Sequence, residues 1–228
     1  MQTEKMHVIA RIHSEFPEKF GIPRQSGLVP GLRARIVFEP EFRNPDALRG
    51  IEGFSHLWLI WQFSQTIRET WSPTVRPPRL GGNRRVGVFA TRSPFRPNPI
   101  GLSCVKLEAV LQDPKGGTVL EVSGADLLDG TPIFDIKPYL PYADAIEDAV
   151  GGFASTAPEE KLRVRIPDAL AQQLPEQKRT VLSELLALDP RPSYQDQPDR
   201  VYGMRFDRWQ IRFRIDGGDL TVLSVEPA

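Results

Sequence analysis

Ser55–Phe63 reads SHLWLIWQF. Side chains alternate along an extended chain, so Leu57, Leu59, Trp61 and Phe63 share one face and His56, Trp58, Ile60 and Gln62 the other. Nearly every position is apolar, which predicts a strand covered on both faces. Working outward, Val8, Ala10 and Ile12 alternate with His7, Ile9 and Arg11, and Leu32, Ala34, Ile36 and Phe38 alternate with Arg33 and Arg35. Both stretches read as half-buried strands. Leu102–Leu111 and Val119–Ser123 flank the turn Asp113-Pro114-Lys115-Gly116-Gly117 and predict a hairpin. Leu128-Asp129-Gly130-Thr131 is a further turn, before the apolar Ile133, Phe134 and Ile136. Asn44-Pro45-Asp46 has the form of a short helix start. Six or more strands with short turns and hardly any helix, all before Pro141, predict a mainly β chain closed or nearly closed into a barrel.

Beyond a glycine- and alanine-rich connector the pattern changes. Lys161–Ile166 reads as a strand and Pro175–Leu188 as an amphipathic helix. Trp209, Ile211, Phe213 and Ile215 then alternate with Gln210, Arg212 and Arg214 before a turn at Asp216–Asp219. The expected organisation is a barrel over 1–145, a connector over 146–160 and a small C-terminal α+β unit over 161–228.

Charge is balanced, with 29 basic and 29 acidic residues, so net charge names no partner. Its distribution is more informative. Pro77–Gly101 reads PPRLGGNRRVGVFATRSPFRPNPIG, and Arg68–Arg96 holds seven arginines against Glu69. Proline and glycine exclude one long helix there, and only Val86–Thr91 has the composition of a strand. The remainder is loop presenting guanidinium groups, whose planar forks suit carboxylates, phosphates and base faces. Asp126–Asp148 follows with six acids and one base, Lys137. A site with two halves, or a self-complementary interface, would produce that pattern.

Several chemistries are disfavoured. Gly81-Gly82-Asn83-Arg84-Arg85 lacks the lysine and hydroxyl of a P-loop, and no G-x-G-x-x-G follows a strand. His7, His13, His56 and Cys104 have no zinc-ligand spacing. Cys104 lies inside a strand, where a buried hydrophobe is expected before a nucleophile. The N-terminal residues contain no apolar run of signal-peptide length, and no stretch reaches membrane-spanning length, so a soluble cytoplasmic protein without metal is expected.

Five motifs then resemble the TrmO family (TsaA-like, YaeB): PRQSG at Pro23–Gly27, FSHLWL at Phe54–Leu59, RPPRLGG at Arg76–Gly82, FATRSPFRPNPIG at Phe89–Gly101 and DGTPIFDIKPYLPY at Asp129–Tyr142. DPRPSY at Asp189–Tyr194 extends the resemblance into the C-terminal unit. It implies a homodimeric β-barrel enzyme that transfers a methyl group from S-adenosyl-L-methionine (SAM) to N6 of threonylcarbamoyladenosine at position 37 of tRNA, next to the anticodon. It also implies cofactor contacts from Gln25, Ser26, Gly27, Ser64, Gln65, Arg92, Leu128, Asp129, Gly130 and Thr131. Ser64 stands where relatives often carry histidine, so a backbone contact is the reading there.

The accepting nitrogen must lose a proton, which makes Asp126 and Asp135 candidate bases, with Tyr139 as a hydrogen-bonding helper. Asp126 reads equally as a turn residue and Asp135 as an ion-pair partner of Lys137. Asn98-Pro99 offers a polar contact for an exocyclic nitrogen. Arg84, Arg85, Arg92 and Arg96 suit the carboxylate and phosphates of the substrate, and Phe95 can stack on a base. In the C-terminal unit Arg191, Tyr194, Arg205, Arg208, Arg212 and Arg214 are candidates to follow the anticodon stem. A non-catalytic RNA- or nucleotide-binding barrel is the alternative, and a structural protein whose charged segments pair across a dimer is a third. Binding of SAM separates the first from the others.

Overall fold

A computed structural model describes residues 4–155, 161–191, 197 and 199–228. The strands in chain order are β1 (Ala10–Ser14), β2 (Arg33–Phe38), β3 (His56–Gln62), β4 (Thr74–Val75), β5 (Val86–Gly87), β6 (Ile100–Asp113), β7 (Gly117–Ser123) and β8 (Pro132–Pro138), followed by β9 (Arg163–Arg165), β10 (Val201–Phe206), β11 (Trp209–Asp216) and β12 (Asp219–Pro227). Helix α1 is Pro141–Asp144, α2 is Asp168–Ala171 and α3 is Glu176–Ala187.

Six strands close into a barrel in the order β1-β2-β7-β6-β3-β8. Closure removes the exposed edges an open sheet would carry. Alternation decides the interior: Ala10, Ile12, Ala34, Ile36, Leu57, Leu59, Val105, Leu120 and Val122 form its core. The outer face of β3 is only half-covered, contrary to the two-sided burial its apolar composition suggests. A barrel wall has one dry face, and the outward Trp58 and Ile60 therefore form surface. Within the arginine-rich stretch the strand pairing is a separate two-stranded ribbon of β4 and β5. Strand structure ends at Gly87, and Val88–Ala90 turns into a 3₁₀ segment instead of extending the strand to Thr91.

The C-terminal unit is a four-stranded sheet in the order β10-β11-β12-β9, with β9 parallel to β12. Trp209, Ile211, Phe213 and Ile215 of β11 face inward with Leu182, Leu185 and Leu186 of α3. The 15–32 loop between β1 and β2 belongs to this second core. Phe16, Val29 and Leu32 are buried there, with Phe20 and Ile22 packed against it. The sequence reading, which places residues before 145 with the barrel, does not foresee that exchange.

Candidate active site

β6 is longer than its neighbour. It pairs with β3 from Ile100 to Lys106, but β7 meets it only from Lys106 onward. The edge from Ile100 to Val105 thus lacks a β7 partner, and an open edge of backbone donors and acceptors needs another one. Ser26 supplies part of it: its Oγ accepts the Cys104 N–H at 3.1 Å. Next to it, the Gly27 N–H donates to the Gly124 carbonyl at 2.8 Å, and Gly124 donates to Leu32 at 2.9 Å. A Cβ on Gly124 would lie 3.3 Å from the Gly27 Cα, and Gly124 has φ of +75°, so glycine is required on both counts.

A buried polar chain lies behind this contact. The Trp61 indole N–H donates to Ser103 Oγ at 3.0 Å, and the Ser103 hydroxyl donates to Asp126 Oδ1 at 2.6 Å. The Trp61 ring lies flat enough on Gly101 that a Cβ there would collide with it. Burial pushes the Asp126 carboxyl up, while the Ser103 hydroxyl, its own N–H, the Arg92 guanidinium and the Ser26 N–H pull it down.

The loop 15–32 gathers the remaining segments. Gln25 Oε1 accepts from the Arg92 guanidinium. Lys19 donates to the Gln65 carbonyl at 3.2 Å, and the Asp129 N–H donates to the Phe16 carbonyl at 2.8 Å. The Asp129 carboxylate accepts the Ser14 N–H at 3.1 Å and lies 3.4 Å from His13 Nδ1. Thr131 Oγ1 donates to the Leu128 carbonyl at 2.7 Å, and Gly130, at φ of +74°, closes that turn. Gln25–Gly27, Ser64–Gln65, Arg92 and Leu128–Thr131 are far apart in the chain, yet each segment meets this one loop or its base.

Other predicted residues are arranged differently. Asp135 and Leu102 both pair with Ile60 across the sheet, so they share the outer face, and Asp135 lies 2.9 Å from Lys137. Tyr139 packs over Trp58 and His56 on that face. Ser103 points into the barrel, so the wall separates Asp126 from Asp135. In the arginine loop, the Arg68 guanidinium lies 4.0 Å from the Phe95 ring centroid, leaving the ring's other side available. Arg85 donates to Thr74 Oγ1 at 2.9 Å and Arg96 to the Thr91 carbonyl at 3.0 Å. Arg84 and Asn98 are exposed.

With this geometry in place, comparison with known proteins is direct. The tRNA-methyltransferase O N-terminal domain matches residues 11–145, and the TrmO C-terminal domain matches 159–228. The chain belongs to the tRNA-methyltransferase O family. It is 41% identical over 235 residues to the Escherichia coli (strain K12) tRNA (adenine(37)-N6)-methyltransferase, with 100% of both chains covered. It is 46% identical to a Pseudomonas aeruginosa protein described as a putative S-adenosylmethionine-dependent methyltransferase RcsF, over 96% of this chain and 95% of that one. A crystal structure of TrmO from Pseudomonas aeruginosa superposes with a TM-score of 0.79 at 36% identity, covering 98% of each chain.

Within this TrmO-family barrel the donor set suits SAM. Arg92 and Gln25 offer hydrogen bonds to a carboxylate, and the half-exposed Asp129 offers acceptors to an ammonium or to hydroxyls. Gly27 has φ of +78° and open space where a side chain would stand, so backbone there can approach a ligand closely. Sequence reasoning missed Ser103, which a serine in an apolar strand could have signalled, and the Phe16–Lys19 end of the loop. In the C-terminal unit Arg212 and Arg214 project from the outer face of β11, and Arg165 of β9 joins them across Thr221. Arg205 is exposed on β10 of the same face, and Arg208 covers the Trp209 ring at 4.8 Å. Arg191 differs: Asp189 binds it bidentately at 2.9 Å, and its side chain is 12% exposed. That guanidinium stabilises its own turn, which removes it from the RNA-facing set. Tyr194 lies outside the described residues.

Proposed function

We propose that this chain is a SAM-dependent tRNA methyltransferase acting on N6 of the adenosine at position 37, and that its target is the threonylcarbamoyl form of that base next to the anticodon. The observation that carries the reading is the convergence of Gln25–Gly27, Gln65, Arg92 and Asp129 on one loop, in a chain whose two halves match the two TrmO domains.

When bound, SAM supplies an electrophilic methyl group on a sulfonium centre. The residues of this chain then have to align and deprotonate. Gln25, Arg92 and Asp129 hold the cofactor, and holding two reactants in line contributes roughly 7–11 kcal/mol to lowering such a barrier. Asp126 is the base we favour: it abuts the Ser26 backbone and Arg92, and desolvation strengthens a carboxylate as a proton acceptor. Asp135 and Tyr139, on the outer face, serve substrate contact instead. Phe95, with Arg68 behind it, stacks a base, while Arg84, Arg85 and Arg96 meet the threonyl carboxylate and phosphates. Arg205, Arg208, Arg212 and Arg214 take the stem.

The enzyme works as a cytoplasmic homodimer in this reading. Leu102, 55% exposed near the start of β6 and paired with Ile60, supports it, because a second copy would cover that apolar wall. No helix among the described residues is long and apolar enough to cross a membrane.

The test is nucleoside mass analysis of tRNA from a strain lacking the gene, with and without the gene restored. Loss and recovery of the methylated threonylcarbamoyladenosine is the expected result. A peak that survives deletion would defeat the assignment. SAM should also raise the melting temperature of the purified protein, as any ligand of the folded state does.

A further inference from the structure

The loop that carries Gln25–Gly27 is seated on the far end of the chain. Its apolar side chains Phe16, Phe20, Ile22, Val29 and Leu32 pack with α3 and β10–β11 of the C-terminal unit. Two glycines mark where that seat is tightest. Gly21, at φ of +93°, has its Cα against the Met204 thioether, and a Cβ there would collide with it. Gly31 lies outside the left-handed region, but a Cβ on it would stand 2.5 Å from Val181 Cγ2 and 3.8 Å from Val181 Cβ. Polar contacts complete the seat. Lys178 of α3 pairs with Glu15 at the loop's start and lies 3.2 Å from Asp207, whose N–H donates to the Glu15 carbonyl at 2.7 Å. Glu18 accepts the Arg205 N–H at 2.9 Å.

We propose that the C-terminal unit fixes the conformation of the cofactor loop, with Val181, Met204 and Lys178 as positioning residues for SAM binding. The proposal rests on the assignment of Gln25–Gly27 to the cofactor. On the barrel side the 24–27 segment is tied by a handful of hydrogen bonds through Ser26, Gly27 and Gln25, and its apolar anchorage is almost wholly on the other unit. Loop entropy that would otherwise be lost on binding SAM is removed in advance by this packing. The C-terminal sheet therefore supports donor binding as well as presenting its arginine face.

A double-mutant cycle in the full chain tests it, with SAM affinity read by calorimetry on folded protein. Gly31→Ala drives a methyl into Val181 and is expected to weaken SAM about tenfold. Val181→Ala removes the offending Cγ2 methyl and leaves an ordinary 3.8 Å contact, so the double variant is expected to return within about threefold of the parent. A purely structural role would lower the melting temperature of Gly31→Ala and leave its SAM affinity alone, which would overturn the proposal. Lys178→Gln, which keeps the packing, is expected to weaken SAM about threefold, and it carries the test if Gly31→Ala does not fold. Gln25→Ala is the control. If it binds SAM normally the cofactor assignment itself fails. If it loses SAM while Gly31→Ala and Lys178→Gln do not, only the present inference falls.

Discussion

Ser103 and Asp126 share a 2.6 Å hydrogen bond, and the same serine oxygen accepts the Trp61 indole N–H at 3.0 Å. Ser103 and Trp61 are buried, so water does not replace the serine as the indole's acceptor. Ser103→Ala leaves the indole N–H without its acceptor and takes the hydroxyl donor from the carboxylate. The expected loss is about 1–3 kcal/mol in urea unfolding. The hydrogen bond from Ser103 lowers the Asp126 pKa, so its removal raises it further. The acidic limb of the pH–rate profile should move to higher pH. A limb that stays in place would remove Asp126 from the proton-accepting role.

Asp126 itself has a folded-state pKa above its ordinary value. The folded protein then holds this proton more tightly than the unfolded chain does, so stability declines as pH rises from the usual carboxylate range through the raised value. Asp126→Asn cannot ionise and loses that decline. It should melt at or above the parent temperature at neutral pH, while methyl transfer falls by about 10²-fold or more. Melting curves from pH 4 to 8 beside single-turnover rates read both effects. An Asn variant that is less stable and fully active would reverse the assignment.

Much of the fold is legible in the sequence, and the reason is local. Strand alternation at Ala34–Phe38 and Trp209–Ile215 reports burial directly. The short turn at Asp113–Gly117 announces the β6–β7 pair, whereas 15–32, 39–55 and 63–99 are long connections that leave the rest of the closure to contacts distant in the chain. The placement of Asp135 was not legible, because alternation says which residues share a face but not which side of the wall the substrate approaches. Nor was the destination of Phe16–Leu32. Its prolines and glycines announce a loop, and its apolar residues announce burial, but the core they enter is formed by residues 162–225. No local pattern encodes a contact between Gly31 and Val181.

Acid sensitivity has a different origin, at the β6 bulge between Leu107 and Ala109. Glu108 accepts from the Ser123 hydroxyl and pairs with Lys106 and Arg33, and these hold its pKa down at about 2 from 4.5. Asp113 is lowered too, chiefly by the Gly116 and Lys115 N–H groups that its carboxylate caps in the β6–β7 turn. Depressed acids contribute stability above their unfolded pKa and lose it as pH falls through the folded value. Melting temperature should therefore drop between pH 4.5 and about 2. Glu108→Gln should flatten that drop and already be less stable at neutral pH. A parent-like acid profile in the variant would place the sensitivity elsewhere.

The outer face of the C-terminal sheet gives the last test. Arg165, Arg205, Arg212 and Arg214 lie exposed on one side of it, and none is paired with a carboxylate among the described residues. Four unpaired guanidinium groups on a flat surface repel one another and leave their donors to solvent, unless an anionic partner takes them. An RNA stem presents phosphates to such a face, and each phosphate neutralised releases bound counterions. The affinity of full-length protein for tRNA should thus fall steeply between about 50 and 200 mM salt. Arg212→Ala and Arg214→Ala should each weaken binding and reduce the slope of log affinity against log salt by about 1. Arg165→Ala should do the same, although its strand lies far from the others in the chain. SAM affinity should be untouched by all three, since none contacts the 15–32 loop. A salt slope equal to the parent's in every variant would show that the RNA passes over another surface.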